Sequence, residues 1–115
     1  MVFIFIEVNN MGRSAQRKGA DGERELANRL KKLGFEVRRG QVFNHESDMV
    51  GLKGIHPEVK RVEKLNVPAA MRQAVTESQI RKDGTPTLFH RRNREEWLVT
   101  MRLDDWINLY RKWIE

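Results

Sequence analysis

The chain has 115 residues, 39% of them hydrophobic and 33% charged, which fits one folded domain around a single core and excludes a disordered chain or a two-domain enzyme. Lysine and arginine (22) exceed aspartate and glutamate (16) by six, so the favoured partners are polyanions. The absence of cysteine excludes disulfides, thiolate zinc sites and a cysteine nucleophile, and accords with a cytoplasmic location.

The opening MVFIFIEV has too short an apolar run for a signal core or a membrane span, and reads as a strand. Met11 begins a second plausible start. Residues 1–12 therefore read as an extension or a strand exchanged between copies, and residues 13–115 as the core of a single domain. Residues 11–19 (MGRSAQRKG) and 86–94 (PTLFHRRNR) concentrate positive charge, a pattern shared by nucleic-acid binders and by ordinary solvated surfaces.

Residues 20–33 have helical periodicity, with Leu26, Ala27, Leu30 and Leu33 facing inward and Gly34 as the stop. Glu23 falls on the same inward stripe, where a carboxylate is costly unless paired or metal-bound. Phe35 to Arg39 alternates as a strand, and Gly40 to Ser47 reads as a loop. Asp48 to Gly51 and Ile55 to Val62 read as two strands of a hairpin. A three-residue Leu52-Lys53-Gly54 loop would pair Asp48 directly with Glu58.

Residues 67–81 form the next expected helix, capped by Asn66, with Pro68 in its first turn and Asp83-Gly84 beyond its end. Thr85 to His90 and Glu96 to Met101 are strands joined through Arg91-Arg92-Asn93-Arg94. Asp104 to Ile114 is an amphipathic helix with Trp106, Leu109, Tyr110 and Trp113 on one side. This order predicts an α/β sandwich with a mixed sheet, with Trp97 and Trp106 in its core. His45, His56 and His90 lack helical metal-ligand spacing and read as surface or polar-network residues.

On a strand, Glu58 and Lys60 project to one face while Val59 anchors the other. Opposed carboxylates at Asp48 and Glu58 can share a hard cation such as Mg²⁺, with the Val59 carbonyl as a further oxygen ligand. Such an ion acidifies water and neutralises a phosphate oxygen, and Lys60 beside it can orient the nucleophile or stabilise the transition state. Taken alone, the same residues also fit an ordinary ion pair on an exposed strand.

The arrangement resembles the PD-(D/E)XK nuclease superfamily, and within it the Holliday-junction resolvases of archaeal and phage type. The resemblance is carried by Lys18-Gly19-Ala20-Asp21-Gly22-Glu23-Arg24-Glu25, then Ser47-Asp48-Met49-Val50-Gly51-Leu52, then Glu58-Val59-Lys60-Arg61. His90-Arg91-Arg92-Asn93-Arg94 with Trp97-Leu98-Val99-Thr100 looks like phage-encoded members. The resemblance covers about residues 17–110. It implies a restriction-endonuclease-like α-β-β-β-α-β core with a mixed central sheet flanked by helices. It also implies Mg²⁺ or Mn²⁺ at Asp48 and Glu58, Lys60 as the catalytic lysine, Glu23 as the acid of the first helix, and Gln73 beside the site. Two departures stand out: Ser47 occupies the position of the motif's proline, and Pro57 removes a strand N–H next to Glu58.

DNA contacts are expected from Arg13, Arg17, Lys18, Arg38, Arg39, Arg61, Arg91, Arg92 and Arg94, which position phosphates without reading sequence. A twofold four-way junction calls for a homodimer, through the aromatic C-terminal helix or the leading strand. The expected function is therefore a metal-dependent endonuclease resolving Holliday junctions. The alternatives are the same chemistry on another DNA, as in restriction or repair, and a non-catalytic nucleic-acid-binding module.

Overall fold

The computed structural model describes residues 19–115, so the expected leading strand and Arg13, Arg17 and Lys18 lie outside the described residues. Residues 19–32 form helix α1, which presents Leu26 and Ala27 to a buried cluster completed by Val37, Met49 and Val59. Leu30, Leu52, Phe89 and Trp97 pack against that cluster, as apolar residues spaced one helical turn or one strand pleat apart should. Leu33 is exposed, because the helix has ended before its side chain reaches the core.

Strands β1 (Arg38–Arg39) and β2 (Met49–Val50) form a small antiparallel ladder joined through a 3₁₀ turn at Val42–Asn44. The expected strand over 35–39 shrinks to its last two residues. Strand β3 (Ile55–Arg61) pairs in parallel with β4 (Thr85–Arg91), which pairs antiparallel with β5 (Leu98–Met101). Parallel neighbours need a crossover, and helix α2 (Val67–Arg81) supplies it. Among the described residues the fold is thus α/β, with three helices, a mixed three-stranded sheet and a separate two-stranded one.

Helix α2 begins where its local signals place it: the Asn66 side chain accepts the Ala69 N–H at 3.0 Å, and Pro68 sits in the first turn. Its buried stripe is Ala70, Ala74 and Ser78, small residues that let the helix lie close on β4, where Leu88 is fully buried.

The predicted β2–β3 hairpin does not form a ladder among the described residues. The Ile55 N–H does reach the Leu52 carbonyl (3.0 Å), and Gly54 has φ +83°, so the chain turns where expected. Beyond the turn β2 pairs with β1 instead, and Asp48 is not a ladder partner of Glu58. Pro57 fits because among the described residues β3 is an outer strand: residues 57, 59 and 61 direct their backbone groups away from β4, so no ladder bond is lost.

Helix α3 (Leu103–Trp113) follows β5 after Arg102 alone and buries no residue. Trp106 is 50% exposed and Trp113 82%, with Leu109 exposed between them, so Trp106 is not a core residue. The stripe that reads as core has nothing to cover it within the described chain. Trp97, by contrast, is half-buried against the cluster. Among the described residues no helix is long and apolar enough to cross a membrane.

Candidate active site

The alternation of β3 sets the site. Val59 points into the apolar cluster, while His56, Glu58 and Lys60 point to the opposite face, where α2 brings Glu77. The Val59 N–H, directed off the sheet edge, donates to Asp48 Oδ2 at 2.8 Å. A side chain thus does what the predicted backbone register was to do: it brings Asp48 beside Glu58. The Val59 carbonyl leaves the strand on the same side as its N–H, in keeping with its expected place among the oxygen donors.

Asp48 is held from behind by a close backbone approach. The Gly40 N–H donates to the Asp48 carbonyl at 2.9 Å, and a Cβ on Gly40 would lie 1.6 Å from the Ser47 carbonyl oxygen. Only glycine fits there.

Glu23, Asp48, Glu58, Val59, Lys60 and Gln73 all line one open cleft of about 360 Å³. The five residues expected to be catalytic therefore converge, from α1, the residue before β2, β3 and α2. Lys60 Nζ is 3.5 Å from Glu58 Oε1, and the other oxygen, Oε2, is buried without a hydrogen-bond partner. Glu23 gives an oxygen to Arg39 Nε at 2.6 Å. Gln73 is exposed and donates to Glu77 Oε1 at 3.3 Å.

The electrostatics are those of crowded acids. Burial, with Asp48 and Glu77 nearby, pushes the Glu58 carboxyl up to about 8 despite Lys60. Burial also raises Asp48, against the opposing pull of the Val59 N–H and Lys60. Glu23 is raised in the same way, Arg39 notwithstanding. Lining carboxylates at Glu23, Glu46, Asp48, Glu58 and Glu77 outnumber the cations Lys60, Arg61 and Arg81 by five to three.

Most of the arginines expected to contact DNA already have acidic partners. Arg38 pairs with Glu46 at 2.5 Å and Arg39 with Glu23. Arg61 lies 3.6 Å from Glu25, and Arg92 the same distance from Glu95. Arg91 binds both Glu25 oxygens at 2.7 Å and stacks over Trp97, whose indole N–H also donates to Glu25. These bonds hold the Glu25 carboxyl below its ordinary value and tie α1 to β4. Arg94 makes no ion pair among the described residues and is exposed, with φ +62°.

Sequence reasoning missed a polar network behind Glu58. His56 is fully buried, with Nδ1 2.7 Å from Asp83 Oδ1 and 3.1 Å from Ser47 Oγ, and the Ser47 hydroxyl donates to Asp83. The sequence left His56 as either a surface or a polar-network residue, and its partners were not legible. Two signals could have found more: His56 is two residues from Glu58 on one strand face, and Glu77 is one helical turn from Gln73.

Compared with known proteins, the chain matches no family model and no curated sequence.

Proposed function

We propose that this cleft is the active site of a metal-dependent DNA endonuclease of the PD-(D/E)XK type, with an α-β-β-β-α-β core and Holliday junctions as substrate. The observation that carries the reading is the meeting of Asp48, Glu58, the Val59 backbone and Lys60 in one cleft. The donor set fits a hard divalent ion. A buried and a half-buried carboxylate, both with raised proton affinity and one oxygen unpartnered, are what a missing positive charge leaves behind. Asp48, Glu58 and the Val59 carbonyl would hold Mg²⁺ or Mn²⁺, which when bound supplies Lewis-acid neutralisation of a phosphoryl oxygen and acidifies water.

The chain's own groups do the rest. The Val59 N–H fixes the Asp48 carboxylate, so its geometry does not wait for substrate. Lys60, held toward the cleft by Glu58, offers its ammonium to the charge that builds on phosphorus oxygens in the transition state. Glu23 and Gln73 border the opening and can orient water. The exposed face of Trp106, Leu109 and Trp113 supports a homodimer able to place two such clefts on a twofold junction.

The test is Mg²⁺-dependent cleavage of a synthetic four-way junction beside linear duplex, with Asp48→Asn as control. Paired nicking of the junction alone, abolished in the variant, is expected. Equal cutting of both DNAs would transfer the reading to a restriction or repair nuclease. No cutting of either would leave a binding module.

A further inference from the structure

We propose that His56 Nε2, Glu58 and Glu77 form a second cation position, which shares Glu58 with the Asp48 set and takes a divalent transition ion of the Mn²⁺, Co²⁺ or Zn²⁺ class in preference to Mg²⁺. One nitrogen and two carboxylate oxygens from these residues lie within 4.8 Å of one another.

The histidine is built as a ligand. Its Nδ1–H is given to Asp83, with Ser47 bracing the same carboxylate, so the ring cannot turn and Nε2 is the nitrogen left to face Glu58 and Glu77. A carboxylate behind the far nitrogen is the usual support of a metal-bound imidazole, fixing its tautomer and raising its basicity. Nε2 has no hydrogen-bond partner although the ring is 0% exposed, and Glu58 Oε2 meets no donor, the Glu58 carboxyl having the Glu77 carboxyl within hydrogen-bond reach. They are 3.9 Å apart, and Glu77 Oε2 is 3.8 Å from Nε2, too far for hydrogen bonds.

Those separations suit ligands around a common ion. At metal–ligand distances of about 2.1 Å, neighbouring donors of an octahedron lie about 3.0 Å apart and opposite ones about 4.2 Å. Glu77, on α2 with its side chain 31% exposed at the cleft wall, has the freedom to close the remaining gap. The two oxygens of Glu58 divide their work: Oε1 faces Lys60, and Oε2 faces the histidine. Arg81 lines the same cleft, but its buried Nη1 makes no hydrogen bond to either carboxylate. Mg²⁺ favours an all-oxygen shell, whereas an imidazole donor favours the later first-row ions.

The donor set stands on its own geometry; only its pairing with a nuclease cation rests on the function proposed above. Mn²⁺ titration of the full chain, followed by electron paramagnetic resonance, reads it directly, because a histidine ligand leaves nitrogen hyperfine coupling on the ion. Wild type should show a nitrogen-coupled ion that excess Mg²⁺ displaces poorly. Asp48→Asn should keep that signal. Glu77→Gln, at a partly exposed helix position that leaves the fold in place, should weaken it about tenfold or more. Absence of nitrogen coupling in wild type, or unchanged binding in Glu77→Gln, overturns the site and leaves its space to a water. Mg²⁺-supported DNA cleavage without nitrogen coupling would refute this site while sparing the nuclease. Nitrogen coupling without any cleavage would do the reverse.

Discussion

Glu58→Gln should make the metal-free protein more stable while removing the activity. With a proton affinity raised from 4.5 to about 8, Glu58 keeps its proton in the folded chain across a range where the unfolded chain has lost it. The folded state then binds more protons, so stability falls as pH rises from the unfolded value through the folded one. At ~1.4 kcal/mol per tenfold change in affinity, the full effect is at most about 5 kcal/mol. Glu58 borders an open cleft, and solvent screening reduces this to about 2–3 kcal/mol. Glutamine imitates the protonated acid at every pH. Urea unfolding in chelator should therefore find the two proteins alike near pH 4, and the variant ahead by that amount near pH 9, or about 10 °C in Tm. Saturating Mn²⁺ should stabilise wild type and leave the variant nearly unchanged. Equal pH slopes for the two proteins would refute the claim that Glu58 is a destabilised acid awaiting a cation.

Gly40→Ala drives a methyl group into the Ser47 carbonyl and should cost about 2–4 kcal/mol in urea unfolding, with cleavage lost because Asp48 is displaced. Arg91→Ala breaks the Glu25–Trp97 link and should cost about 1–3 kcal/mol of stability, most of it above the depressed Glu25 value and vanishing on acidification through it. Arg94→Ala should leave stability unchanged and lower the salt dependence of DNA binding by about one counterion, measured as the slope of log affinity against log salt. Trp113→Glu places charge on the exposed α3 face; light scattering should report a shift from the proposed dimer to monomer with the circular dichroism spectrum unchanged.

The elements whose causes are local were legible. Helix α2 begins and ends within its expected bounds because Asn66, Pro68 and the turn after Arg81 act within a few residues. The shared face of Glu58 and Lys60 follows from the pleat alone. Strand pairing was not legible: a turn at Lys53-Gly54 fits a hairpin, yet β2 finds its hydrogen bonds on β1, where Met49 joins Leu26 and Ala27 of α1 in the buried cluster. Asp48 still reached Glu58 by way of the Val59 N–H, a side-chain contact that no register predicts. The His56 network joins residues 27 positions apart and has no periodic signature. The Trp106 stripe misled because amphipathicity shows that a face is apolar without saying what covers it.

The outer edge of β3 carries one more consequence. An open strand edge invites addition of another chain, and aggregation follows when its N–H groups are free and in line. Here Pro57 has no N–H to offer, and the Val59 N–H is taken by Asp48. Two successive outward positions are thereby closed to a templated strand. Replacing Asp48 by alanine would reopen one of them, so the loss of an acid would be felt as fibrous self-assembly as well as lost chemistry. The carboxylate proposed to hold a cation would also guard the chain against strand addition.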